Sequence, residues 1–145
     1  MRNVFAYIAT ASVVSVTAPV TIETSELRLF QRLTVFHEQL LSSDEKRTNP
    51  KGLANLIREV KEKAQDARIL YAKALTFAEL LEKARSREDQ EFLFAELSHT
   101  LKDRAPKFEF HAFYCPVTNK TWIAKGEKVR NPYLIDARES GTILN

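Results

Sequence analysis

The stretch Phe108–Tyr133, FEFHAFYCPVTNKTWIAKGEKVRNPY, decides the fold, because the hydrophobic pattern of the chain changes there. It contains the only Cys and the only Trp of the 145 residues, and two of the four Tyr. Phe108–Tyr114 places an apolar side chain at every second position, which predicts a β-strand. Pro116–Lys120 predicts a turn, and Thr121–Ala124 predicts a second short strand that returns beside the first.

The residues after this hairpin predict an irregular cap. Gly126 can adopt the positive φ angle of a further turn, and Asn131-Pro132 favours a turn or extended backbone. Thr142–Leu144 is either a third short strand or a segment that packs against the rest. The C-terminal part therefore predicts a partly β cap.

The residues before Phe108 predict helices, because their apolar side chains recur about every 3.6 residues. A first helix follows Thr24 or Ser25, either of which can act as its N-cap, and it ends by Ser42–Asp44. Its predicted apolar stripe comprises Leu27, Phe30, Leu33, Val35, Phe36, Leu40 and Leu41. His37 lies within this helix. We interpret it as a surface or half-buried structural residue, and metal ligation is the alternative.

The next helix begins at Asn49-Pro50, where Asn can act as the N-cap and Pro suits the first helical position. It either runs unbroken over Pro50–Ala84 or breaks near Gln65–Arg68. We expect two helices that are nearly continuous. The predicted apolar positions of this region are Leu53, Leu56, Ile57, Val60, Ala64 and Ala67, continued by Ile69, Leu70, Ala74, Leu75, Ala78, Leu80 and Leu81.

A last helix begins after Ser86, which forms a capping-box-like pair with Asp89. The helix ends near Lys102–Arg104, because Ala105-Pro106 cannot continue it. Its predicted inner face comprises Phe92, Phe94, Leu97 and Leu101, and His99 is expected to be exposed. Helices of this size with short links predict a mainly α fold: an up-down bundle of three to four helices carrying the cap, as one domain over residues 24–145.

The N-terminus predicts export. Arg2 supplies a positive charge, Val4–Val16 is uncharged and mostly apolar or small, and Ser15–Ala18 offers small residues to signal peptidase. We therefore expect residues 1–18 to be a signal peptide and the mature protein to be periplasmic or secreted. The apolar run is too short for a strong transmembrane helix, so no stable membrane span is expected.

Two alternatives to this prediction remain open. Pro19 is a poor first residue after cleavage at Ala18, so cleavage after Ala11 or slightly past Ala18 is a second possibility. Val13–Thr17 also has the composition of a β-strand, which would suit the first strand of a cytoplasmic protein.

Composition and motifs exclude several classes of function. The net charge is +3, acids and bases alternate as in Arg58–Lys63, and no basic stripe is interleaved with aromatic residues, which argues against nucleic-acid binding. The chain has no Gly-rich phosphate loop, no His-Glu-x-x-His pair, no Cys-x-x-Cys and no Gly-x-Ser-x-Gly elbow. We expect a protein that is not an enzyme.

One constellation suggests metal chemistry. Thiolate and imidazole, as in His111-x-x-x-Cys115, are ligands that Cu(I) or Zn(II) accepts. Residues four apart on a strand share a face but lie about 13 Å apart, so both reach one ion only if the chain turns at Tyr114–Pro116. The alternative is that Cys115 is a small hydrophobic residue of the core, with Trp122 beside it.

Four short motifs follow one another in the C-terminal half. They are Tyr114-Cys115-Pro116-Val117, Trp122, Asn131-Pro132-Tyr133 and Ser140-Gly141, preceded by Phe94–Ser98 in the last helix. In this order and spacing, the chain from about Tyr71 to Leu144 resembles the small helical domain of unknown function that is appended to periplasmic adaptor proteins of copper/silver efflux systems. The same domain also occurs alone in secreted proteins and lipoproteins of bacteria.

The departures from the family pattern concern sulfur. Val117 stands where the family has the Met of Cys-Pro-Met, Ser140 stands at its second Cys, and Ala137 or Arg138 falls at its second Met. Of the sulfur ligands that the resemblance implies for Cu(I) or Ag(I), only Cys115 is left. A single thiolate is a weak site for a soft ion.

The resemblance therefore leads to two hypotheses about function. The first is a periplasmic accessory protein of copper or silver handling or efflux, with Cys115 and His111 as a weak or degenerate metal site. The second is a metal-free structural or protein-interaction module. It would dock on an efflux adaptor or another envelope protein through the aromatic cap around Trp122.

Overall fold

The structure is a computed structural model that describes residues 12–13, 22–42 and 48–144. Within these ranges the chain forms four α-helices and a three-stranded antiparallel sheet. The helices α1 to α4 span Ile22–Leu41, Leu53–Lys63, Arg68–Lys83 and Arg87–Leu101. The strands β1 to β3 span Phe110–Cys115, Lys120–Lys125 and Thr142–Leu144. Short 3-10 helices occupy Gln65–Ala67 and Ala105–Phe108. The predicted fold class, a mainly α bundle with a small β-containing cap, is confirmed.

Helix α1 lies against both the other helices and the sheet. Its buried stripe comprises Leu29, Phe30, Leu33, Phe36 and Leu40. The prediction was wrong for Leu27 and Val35, which are exposed. The predicted N-cap was also wrong, because the helix begins at Ile22 and Ser25 lies inside it. The Ser25 hydroxyl instead donates to Glu59 Oε1 at 2.9 Å, which ties α1 to α2.

The predicted start at Asn49-Pro50 was wrong, because α2 begins at Leu53 and its N-cap is Gly52, with φ of +91°. The predicted break near residues 65–68 is confirmed, but the two helices are not nearly continuous. They fold back on each other, since Arg58 Nη2 of α2 lies 2.9 Å from Glu79 Oε1 of α3. Glu82 Oε1 accepts hydrogen bonds from the amides of Gly52 and Ala54, at 3.0 and 3.2 Å. A carboxylate therefore caps the N-terminus of α2 from the far end of α3.

Helix α4 has the predicted N-cap, because Ser86 Oγ accepts from the Asp89 amide at 3.0 Å. Its buried residues include Phe94, Leu97 and Leu101, as expected. Phe92 was wrongly placed on the inner face and is exposed, whereas His99 is exposed as predicted.

The sheet has the order β2-β1-β3, with Phe113 opposite Trp122 on one side and Ile143 on the other. The predicted turns are present, with φ of +56° at Asn119 and +81° at Gly126. Both faces of β1 are buried. On one face Phe110 stacks on Phe30 of α1 with ring centroids 5.8 Å apart. The other face is covered by residues 126–141, which we name the C-terminal segment.

A buried charge cluster joins α1, α3 and the end of α4. Glu26 Oε1 accepts hydrogen bonds from the Arg104 guanidinium and from the Tyr71 hydroxyl. The side chains of Glu26 and Arg104 are only 3% and 13% exposed. The Arg104 guanidinium also lies 5.9 Å from the centroid of the Tyr71 ring. Each buried charge thus has a counter-charge and directed hydrogen bonds, which burial requires.

The predicted signal peptide, residues 1–18, lies outside the described residues except for Ser12 and Val13. Export therefore stays a prediction. Among the residues that the structure does describe, no helix combines the length and the apolar character that a membrane crossing needs.

Candidate functional site

Cys115 ends β1 at the start of the turn, and its side chain is completely buried and not in a disulfide. Burial raises the pKa of the Cys115 thiol, but the Thr118 hydroxyl and amide oppose this effect. The Asn131 side chain and the Val117 amide add to the opposition, and the pKa of Cys115 falls below that of an ordinary thiol. The turn and Asn131 therefore favour the thiolate form of Cys115 relative to an ordinary thiol.

The structure does not bring His111 to Cys115. β1 runs unbroken through both residues and turns only after Cys115. Phe113 lies between them on the same face of the strand, and the His111 ring packs edge-on to it at 6.4 Å. Over the part of the chain that is described, no group of three or more His, Cys, Asp or Glu side chains gathers in a metal-binding arrangement. The predicted pair is thus separated by about 13 Å of strand.

The aromatic residues of the predicted motif form the core of the cap. The Trp122 ring stacks on Phe113, with centroids 5.2 Å apart and planes 11° apart, and meets Tyr133 edge-on at 6.1 Å. The Tyr133 hydroxyl donates to the Thr121 carbonyl at 2.6 Å. Pro132 is buried beside them. Trp122 has no exposed surface, so it cannot be the face through which a partner docks.

Asn131 connects the separate motifs. Its Nδ2 donates to the Ser140 carbonyl at 2.7 Å, and its Oδ1 accepts from the Tyr133 amide at 2.9 Å. The same side chain helps to lower the pKa of the Cys115 thiol. Next to Ser140, a Cβ on Gly141 would lie 2.7 Å from Trp122 Cη2, so only glycine fits there. Of the residues that the sequence singled out, five meet in one interior cluster: Cys115, Trp122, Asn131, Pro132 and Tyr133. His111 and Tyr114 are only half-buried, and Pro116 is exposed.

A second candidate site was not predicted from the sequence. A groove of about 800 Å³ opens between α4, the neighbouring part of α3 and the sheet. It is lined by Lys73, Ala95, Glu96, His99, Lys102, Asp103, Pro106, Tyr114, Asn119, Thr121 and Leu144. Inside it, the Tyr114 hydroxyl donates to Asn119 Oδ1 at 2.5 Å, and Lys102 Nζ lies 3.3 Å from His99 Nε2. No local pattern reveals the groove, because its walls come from α3, α4, the second 3-10 helix, all three strands and a turn.

Comparisons of the chain with protein-family models, with curated proteins and with solved structures find no match. The resemblance to the efflux-associated domain therefore stays a prediction that rests on the motifs alone.

Proposed function

We propose that this protein is a non-enzymatic binding module of the bacterial envelope, which takes an extended segment of a partner protein beside β3. The proposed localisation in the envelope rests on residues 1–18, which have the pattern of a signal peptide. The single observation that carries the binding role is the groove of about 800 Å³ next to an edge strand.

The edge of the sheet supports a strand-like occupant. β3 pairs with β1 on one side, and no described strand lies on its other side. Such an edge presents backbone N–H and C=O groups that can pair with an added strand. Leu144 of β3 lines the groove together with Tyr114 and Thr121. A segment added to β3 would therefore place alternate side chains over the groove.

The lining of the groove supports a partner of mixed character. Lys73 and Lys102 supply positive charge, while Glu96 and Asp103 supply negative charge. Partner side chains of either sign thus meet a counter-charge, whereas the balanced lining offers no excess of positive charge to a polyanion such as nucleic acid. On the reasoning from the resemblance, an efflux adaptor is the first partner to test, and other envelope proteins follow.

Site-specific photo-crosslinking tests this proposal. A photoreactive amino acid is placed at His99, which is exposed and lines the groove, and at Ile69, which is 89% exposed and does not line it. We expect a discrete protein adduct from position 99 that a Leu144→Asp change diminishes. An identical set of adducts from both positions, or none from position 99, would contradict the proposal.

Copper or silver handling is the second candidate, and the lowered pKa of the Cys115 thiol favours it. A thiol whose pKa is lowered offers more thiolate, the form that binds soft metal ions. The test is an anaerobic Cu(I) titration of the reduced protein against a competing chelator, beside Cys115→Ser. Tight one-to-one binding that is lost in the variant supports this function, and equal behaviour of the two proteins contradicts it.

A further inference from the structure

His37 is a buried imidazole that fastens α1 to the C-terminal segment. Its side chain is 1% exposed, and Nε2 lies 2.8 Å from the Arg130 carbonyl oxygen. Because a carbonyl only accepts, Nε2 carries the hydrogen and Nδ1 carries the lone pair. Nδ1 has no hydrogen-bond partner within the described ranges. The geometry therefore suits a neutral ring, and a second proton would have to enter at a buried, unpartnered atom.

Two guanidinium groups complete the attachment. Arg130 Nη1 lies 2.5 Å from Glu38 Oε1 of α1. Arg138 donates to the Leu41 carbonyl at 3.3 Å, at the C-terminus of α1, and to the Asn131 carbonyl at 2.8 Å. The C-terminal segment is thus held to the end of α1 by His37, Arg130 and Arg138.

We propose that these contacts form a pH-sensitive latch, in which protonation of His37 releases the C-terminal segment from α1 and uncovers Trp122 and Cys115. The inference is independent of the proposed groove, because the latch lies on the α1 side of the cap and shares no residue with the groove lining.

The charged groups that face His37 are Glu38 from α1 and Arg130 and Arg138 from the C-terminal segment. Burial lowers the pKa of His37 most strongly, and the two arginines lower it further. The Arg130 carbonyl and Glu38 raise it, but less than burial lowers it. Nδ1 lies 3.9 Å from Glu38 Oε1, so this carboxylate is the available counter-charge. The Glu38 carboxylate already binds Arg130. If it rotated toward a protonated His37, its ion pair with Arg130 would weaken.

The direction of the pH effect follows from this pKa. In the open form His37 returns to water and to its ordinary pKa of about 6.5, so opening takes up a proton. As the pH falls below that value, the open fraction rises by about tenfold per pH unit, until the lower pKa of the closed form is reached. At pH values above the ordinary pKa of about 6.5, His37 is neutral in both forms and the latch stays closed.

Opening would be reported by two unique side chains, since the chain has one Trp and one Cys. The experiment follows two signals between pH 7.5 and 5: the emission of Trp122, and the attack of the Cys115 sulfur on a dipyridyl disulfide. This reagent still reacts with thiols at acidic pH, and it releases a pyridinethione as the mixed disulfide forms. Rates are normalised to the urea-unfolded protein at each pH. We expect a red shift and a roughly tenfold rise in normalised rate per pH unit below 6.5, while the far-ultraviolet helix signal is unchanged.

Variants of the three histidines show which of them causes the pH response. His37→Gln keeps a donor near the position of Nε2 but does not titrate, so its signals should not change with pH. His99→Gln and His111→Gln should behave as the wild type does. If His37→Gln does not fold, Glu38→Gln serves instead, and it should shift opening to higher pH because Arg130 loses its partner. A flat wild-type profile, the same profile in His37→Gln, or opening that coincides with loss of helix would overturn the latch.

Discussion

Glu26 offers the sharpest test of what holds the bundle together. Replacing it with Gln keeps the size of the side chain but removes the buried counter-charge of the Arg104 guanidinium, which is 13% exposed. The carboxylate that remains is Asp66, 3.3 Å from Arg104 Nη1, but its side chain is 71% exposed. Removing one partner of a buried ion pair costs about 3–5 kcal/mol, and Gln retains an acceptor, so we expect a loss of about 3 kcal/mol. With a urea m-value of about 2 kcal/mol/M for a chain of this size, the unfolding midpoint should fall by about 1.5 M.

The matched control is Glu79→Gln. Its partner Arg58 lies at a comparable distance of 2.9 Å, but both side chains are 47% exposed. An exposed pair contributes less than about 1 kcal/mol, because water screens it and both side chains lose freedom. Urea unfolding followed by circular dichroism and Trp122 emission measures both variants. Equal destabilisation by the two substitutions would refute the argument that burial of the Glu26 cluster determines its contribution.

Three further predictions concern the cap. Gly141→Ala should destabilise the protein and shift Trp122 emission, since the new Cβ falls 2.7 Å from the indole ring at a φ of +145°; thermal unfolding and fluorescence check this. Because the folded pKa of Cys115 is lowered, the unfolded chain binds more protons below pH 9. The stability of the wild type relative to Cys115→Ser should therefore rise from pH 7 to pH 9 in urea titrations, and a fall would contradict the pKa direction. The double variant Ser140→Cys, Val117→Met should bind Cu(I) more tightly than the wild type if the resemblance is correct. A Cu(I) titration against a competing chelator measures both affinities, and equal affinities would contradict this prediction.

Local chemistry made much of the fold predictable from the sequence. The Ser86 cap acts on an amide three residues away, and the strands β1 and β2 follow from an alternation that extends over a few residues. The break between α2 and α3 was predicted for the same reason. The direction that α3 takes after the break was not predicted, because it involves contacts between residues far apart in the sequence, such as Glu82 with Gly52, 30 residues earlier.

The same limit explains the errors at functional positions. His37 was expected to be at the surface or half-buried, but it is fully buried and contacts Arg130, 93 residues away. The buried partner of Glu26 is Arg104, which lies 78 residues away. Periodicity reports which face of an element is apolar, but it carries no information about which distant polar group meets that face. The groove and the latch are both built from such distant pairs.

The interior cluster changes how the sequence motif is interpreted. Its residues hold the cap together, since Trp122 stacks on Phe113, Asn131 bridges to Ser140, and Gly141 makes room for the indole ring. A chain needs these side chains to close the cap whether or not any sulfur ligand remains. The motif therefore predicts the architecture of the cap better than it predicts metal binding. Function must be sought where side chains meet solvent or change partners, which in this molecule means the groove beside β3 and the contacts of His37.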